Sequence, residues 1–104
     1  MRWLVEFEAA AAREFKKLDR PVREAIAVAL GRLADEARDE ASPYTNVRKL
    51  AGAEGMWRLR VGDYRVIFRL EAREDEGASS GEVEMVGVVL AVKVGHRREV
   101  YRGR

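Results

Sequence analysis

Apolar and polar positions alternate most regularly between Trp57 and Leu70, where the chain reads WRLRVGDYRVIFRL. Trp57, Leu59 and Val61 alternate with Arg58 and Arg60. After Gly62-Asp63, Tyr64, Val66, Phe68 and Leu70 alternate with Arg65, Ile67 and Arg69. A period of two is that of strands with unlike faces. A Gly-Asp loop suits a type II′ hairpin turn, with glycine at the first central position. A loop of that length fixes the register. Val61 is then expected opposite Tyr64, Leu59 opposite Val66, and Trp57 opposite Phe68 on an apolar face. On the reverse face Arg60 falls opposite Arg65 and Arg58 opposite Ile67, with Arg69 further along.

The same alternation runs from Arg2 to Phe7, with Trp3, Val5 and Phe7 on one side. The period then lengthens. Glu8 to Leu18 predicts a helix: its alanines favour that state, and Ala11, Phe15 and Leu18 make one stripe. Asp19-Arg20-Pro21 ends it and starts a second helix, where proline's missing N–H costs nothing in the first turn. That helix is expected to run to about Ala37, with Val22, Ile26, Ala29, Leu30 and Leu33 as its apolar stripe. The pair forms an αα-hairpin.

Arg38 to Val47 reads as a loop broken at Ser42-Pro43. Val47 to Leu50 leads towards the hairpin, and Gly52 and Gly55 mark a turn before it. Ala72 to Glu82 is acidic and rich in glycine and serine, the composition of a hairpin loop. Glu84 to Val94 is almost continuously apolar, as in a strand buried on both faces, and so belongs at the sheet's centre. The expectation is one α+β domain over residues 1–104: an N-terminal strand and a helical hairpin packed on a mainly antiparallel four-stranded sheet. Two helices cannot cover both faces of such a sheet, so its arginine face should remain open.

The net charge of +2 conceals a strong asymmetry. Residues 1–43 carry a net −1, residues 44–70 +4, residues 71–90 −5 and residues 91–104 +4. Two basic segments flanking an acidic one are the electrostatic mark of a polyanion site. Arginine opposite arginine also opposes the usual cross-strand preference. Two readings stay open: a solvated face whose long stems cover apolar surface, and a face that receives phosphates. There is no cysteine, hence no disulfide or Cys-ligated metal. No apolar run is long enough to span a bilayer, and Met1-Arg2 leads straight into a strand pattern rather than a signal peptide. A cytoplasmic protein without membrane contact is expected.

Taken in order, WLVEF, AAAAREFKKLDRPV, VRKLAG, WRLRVGDYRVIFRL and VGHRREVYR resemble the RelE/ParE superfamily of bacterial toxins, above all its RelE-like branch. The resemblance spans nearly the whole chain. It implies a toxin of a type II toxin–antitoxin system, with a cognate antitoxin as partner and no metal or organic cofactor. RelE-like members cut messenger RNA in the ribosomal A site; ParE-like members poison DNA gyrase. It further implies ribosome and message as partners, and operator DNA bound by the toxin–antitoxin complex through the antitoxin. A ribosome-dependent, metal-independent endoribonuclease that inhibits translation is therefore the leading expectation. A gyrase inhibitor, or a decayed toxin that only binds antitoxin, is the alternative.

Residue by residue, the resemblance places Arg58 and Arg60 at the two basic positions of the family's second strand. Arg65 falls at the arginine after the turn, Arg97 at the arginine of the final strand's end and Tyr101 at the tyrosine that follows. In the best-known pattern two more residues separate Arg97 from Tyr101, and lysines stand at the positions of Arg58 and Arg60. Arginine keeps its proton where lysine can lose it, so a general base must come from elsewhere. The expected catalytic group is Arg65, Arg97, Tyr101 and Arg60, with Lys49, Arg58, Arg69 and Arg98 as RNA contacts. The guanidinium fork of Arg65 and Arg97 matches two phosphate oxygens. For proton transfer there are His96, whose ordinary pKa of about 6.5 suits either role, and Tyr101, whose pKa neighbouring arginines would have to lower. A structural histidine and a tyrosine packed on the sheet are the plainer readings of those two residues.

Overall fold

The computed structural model describes residues 2–38, 47–50, 52, 55–75 and 84–100. Strand β1 (Arg2–Phe7) is followed by helices α1 (Ala9–Lys16) and α2 (Arg20–Arg38). Strands β2 (Val47–Lys49), β3 (Met56–Val61), β4 (Tyr64–Asp75) and β5 (Glu84–His96) follow, and a short helix α3 (Arg97–Val100) closes the described chain. The sheet has five strands in the order β1-β5-β4-β3-β2. The strand beyond the expected four is β2, three residues from the stretch leading into the hairpin. It pairs antiparallel with β3.

The hairpin register is the expected one at every pair. Val61 faces Tyr64, Arg60 faces Arg65, Leu59 faces Val66, Arg58 faces Ile67 and Trp57 faces Phe68. Gly62 has φ +58°, the left-handed value that primed hairpin turns require at their first central residue. The apolar run of β5 lies between β1 and β4. Val89, Ala91 and Val94 join the core under the helices, while Val86, Val88 and Leu90 are buried on the other side. β1 runs parallel to β5, the one parallel pair of the sheet. The connection between them takes in both helices and strands β2, β3 and β4; parallel neighbours require a long connection.

The core forms where the two periodicities meet. Ala11, Ile26, Leu30 and Leu33 of the helices pack against Leu59, Val66, Phe68, Val89, Ala91 and Val94 of the sheet. Burying Phe68 or Ile26 contributes about 1.5–3 kcal/mol each. Trp3 packs over Gly87, its Cα partner across β1 and β5. A Cβ at Gly87 would meet the indole ring, so alanine there would force it aside.

Two expectations change. Ala72 to Asp75 belong to β4, paired with Gly87 to Glu84, so the hairpin ribbon is longer than its composition indicates. The rest of the acidic loop lies outside the described residues. The face away from α1 and α2 is also partly closed, near Arg65 by α3, whose buried Val100 packs on Gly95, the Cα partner of Arg65. Val86, Val88 and Leu90 lie beneath a lattice of charged side chains from β1 and β4. Leu90 has Glu6 on one flank and Arg69 on the other; Val86 lies between Arg2 and Arg73. Long aliphatic stems give these valines and the leucine their cover.

Candidate functional site

The pleat sends alternate residues of a strand to opposite faces, and directly paired residues share a face. Arg58 and Arg60 of β3 therefore lie with Ile67 and Arg65 of β4 on the face away from α1 and α2. On β2, Arg48 pairs with Arg58, whereas Lys49 pairs with Trp57 on the helix side. Lys49 is thus separated from the arginine group, and the cation that β2 supplies to it is Arg48. Its signal lay in the VRKL stretch, but β2 had to be recognised as a strand before its faces could be assigned.

The Gly62-Asp63 turn gathers the next two residues. Arg65 folds back so that its Nη1 donates to the carbonyl oxygens of Gly62 and Tyr64, both at 2.8 Å. Its Nη2 and Nε have no partner among the described residues. The backbone N–H of Arg97 donates to the Asp63 carbonyl at 2.7 Å. The Arg97 side chain lies 3.8 Å from the Asp63 carboxylate, with both groups well exposed. Arg65 and Arg97 are thereby tied to one corner, with Arg60 opposite Arg65 beside them.

Arg97 is the first residue of α3 and not the end of a strand, so strand alternation does not govern it. Val100 fixes the helix: it is buried and packs against Gly95, where a Cβ would come within 3.2 Å of Val100 Cγ2. His96 pairs with Tyr64, and the two rings meet edge to face at 5.5 Å. The His96 Nδ1 accepts the Arg98 backbone N–H at 3.2 Å, which leaves the ring proton of the neutral imidazole on Nε2. These contacts hold the ring on the Tyr64 side of the strand and start α3. The Arg98 side chain is exposed and has no partner among the described residues. Tyr101 lies outside the described residues.

Arg69 stands apart from the corner. It is half-buried and lies 3.3 Å from both Glu8 and Glu71. Arg73 completes the same network, 2.7 Å from Glu6 and 3.3 Å from Glu71. The hydrogen bonds to Glu6 and then Glu71 raise the Arg73 pKa above arginine's ordinary value. Arg2 pairs with Asp75 at 3.1 Å. A groove of about 510 Å³ lies between α2 and the edge of the sheet at β2 and β3, with Val28 and Leu33 among its apolar lining and Glu24, Arg32 and Arg60 among its charged lining. Among the described residues, no group of three or more His, Cys, Asp or Glu is gathered as a metal would need. No helix among them is long and apolar enough to cross a membrane.

The arrangement gathers arginine donors around one corner, with Asp63 the carboxylate nearest the Arg97 guanidinium among the described residues. It can bind and stabilise an anion. Among solved structures, the chain is similar to the intact RelBE toxin–antitoxin complex of E. coli, at 28% identity and a TM-score of 0.57, covering 88% of this chain and 93% of that one. It is similar to the RelBE2 toxin–antitoxin complex of Mycobacterium tuberculosis at 26% identity and a TM-score of 0.54, over 93% and 100% of the two chains. The RelB–RelE antitoxin–toxin complex from Methanococcus jannaschii has the same fold, with a TM-score of 0.60 over 92% and 94% of the chains at 16% identity. No curated protein sequence matches significantly. The family model for the ParE toxin of the type II toxin–antitoxin system parDE matches residues 5–101. That match takes in all five strands and all three helices except the first residues of β1, and the chain belongs to this family of type II toxins.

Proposed function

We propose that this toxin is a ribosome-dependent endoribonuclease that cuts message in the A site and so stops translation. The observation that carries the proposal is the like-charged corner: Arg60 opposite Arg65, with Arg97 docked on the same turn. In metal-free cleavage the 2′-hydroxyl attacks the adjacent phosphorus, a cyclic phosphate forms, and the 5′-oxygen leaves with a proton. Charge accumulates on the phosphorane oxygens, where preorganised donors have their largest effect. Arg65 and Arg97 would clamp that phosphate, Arg60 would add charge, and Arg58 and Arg98 would hold the flanking backbone. Proton transfer would fall to Tyr101, since arginine does not titrate and the His96 ring is engaged with Tyr64 and the Arg98 N–H.

The partner implied by the similar complexes is an antitoxin. The groove beside α2, with apolar lining at Val28 and Leu33 and with Glu24 beside the cations Arg32 and Arg60, would suit an amphipathic segment that bears charged groups on its polar side. The complex would contact operator DNA through the antitoxin. Gyrase inhibition is the second reading, favoured by the match to the ParE family model.

Induction from a tightly repressed promoter, followed by primer extension on translated messages, separates the two. Cuts within translated codons, absent from an Arg65→Ala/Arg97→Ala variant, are expected. Growth arrest with DNA damage and no cuts, equal in both proteins, would replace the nuclease with the gyrase inhibitor.

A further inference from the structure

Arg48 extends the arginine row to the edge of the sheet. It is the Cα partner of Arg58 and shares a face with Arg60 and Arg65, so the row crosses β2, β3 and β4. Strand spacing makes that crossing about 10 Å wide. Arg48 is exposed, and its side chain has no partner among the described residues.

Its setting contradicts what stability alone would select. Like charges directly opposite are destabilising, and β2 has only three residues with which to absorb the cost. A charge on an edge strand guards against strand-to-strand aggregation, which accounts for a charged residue but not for its sign. A glutamate would guard the edge equally well without setting like charges directly opposite each other. Elsewhere on this face the chain makes that choice: Arg2 meets Asp75, Arg69 meets Glu8 and Glu71, and Arg73 meets Glu6 and Glu71.

We infer that Arg48 is a phosphate-binding subsite for single-stranded RNA, the outermost position of the row and remote from the scissile phosphate at the Arg65–Arg97 corner. The inference rests on the nuclease reading and adds a flanking phosphate to it. Arg48 is a binding residue: its loss weakens capture of the strand and leaves the chemical step intact, so KM rises and kcat holds. Lys49 supplies an internal control. It is the next residue and bears the same charge, but belongs to the opposite face.

The test uses the full chain and a short fluorescein-labelled 2′-O-methyl oligoribonucleotide, in which the nucleophile is blocked and cleavage cannot occur. Anisotropy titrations over a series of salt concentrations give the affinity and its salt slope. Arg48→Ala is expected to lose several-fold in affinity and to flatten the slope by about 0.7, the value for one phosphate contact on a single strand. Lys49→Ala should keep the wild-type slope, and Arg48→Lys should restore it. Melting temperatures show whether each variant is folded; Arg48→Ala should melt no lower than wild type. An unchanged slope in Arg48→Ala, or an equal loss in Lys49→Ala, would overturn the subsite while leaving the nuclease to stand or fall by primer extension. Failure of the wild type to bind the oligoribonucleotide at low salt would also overturn it.

Discussion

The sheet face turned away from α1 and α2 consists of two unlike halves. Across β1, β5 and the far part of β4, Arg2, Arg69 and Arg73 each meet a carboxylate. Across β2, β3 and the near part of β4, arginine meets arginine. The first half lies over buried Val86, Val88 and Leu90 and serves as their cover. The second also has a buried residue, Ile67, and carries α3, whose Val100 packs on Gly95, the partner of Arg65; on the nuclease reading its arginines receive a phosphate. Counting arginines would not separate the two halves. The charged neighbour does: a carboxylate for Arg2, Arg69 and Arg73, and another arginine across the strand for Arg48 and Arg60.

The most severe way to break this contrast is to empty the corner. Arg65→Ala/Arg97→Ala should reduce message cleavage by about 10²-fold or more, the scale of losing one preorganised donor to an oxyanion. Primer extension after induction reads the loss, and a variant that still cuts at the wild-type rate would remove the phosphate clamp from these residues. Its melting temperature should change little, since neither side chain is buried in the core.

Converting one half into the other is a subtler intervention. Arg60→Glu places a carboxylate opposite Arg65 and imposes the paired pattern on the active half. It should stabilise the hairpin by up to about 1 kcal/mol while abolishing RNA binding. Thermal melting and anisotropy on the same sample measure both effects. Higher stability with retained binding would show that the charge pattern is incidental.

The smallest effect is expected from the paired half. Glu71→Gln removes the acid shared by Arg69 and Arg73. Each arginine retains a second carboxylate, and surface pairs are worth about 0–1 kcal/mol. Stability should fall by no more than about 1 kcal/mol in chemical denaturation, with cleavage unchanged. A large loss of cleavage would place Glu71, and the half it belongs to, in the site.

Much of this was legible in the residues. The hairpin register followed from Gly62-Asp63 and strict alternation, and the central place of β5 from its unbroken apolar run. The two helical stripes were equally plain, since Ile26, Leu30 and Leu33 repeat at helical spacing. Three features were not legible. β2 is too short to show a period, so Lys49 rather than Arg48 stood out beside the hairpin. Arg69 looked identical to Arg65 within the alternation, because Glu8 and Glu71 reach it only in three dimensions. α3 is a single turn held by Val100 against Gly95 and by the Arg97 N–H on Asp63, contacts that carry no local signature. Sequence alternation assigns faces; the partner across each face comes from topology.

The parallel pairing of β1 with β5 has a consequence for how the toxin comes into being. Arg2 pairs with Val86 and Phe7 with Ala91, so the first strand made must wait for the last. Contacts between distant parts of a chain form slowly, because loop closure must precede any gain from pairing. On a translating ribosome β1 and the helical hairpin emerge well before β5, and the centre of the sheet is vacant until β5 has been made. The arginine corner matures later still, because α3 follows β5. On the nuclease reading, the phosphate site is therefore incomplete until both β5 and α3 have been made.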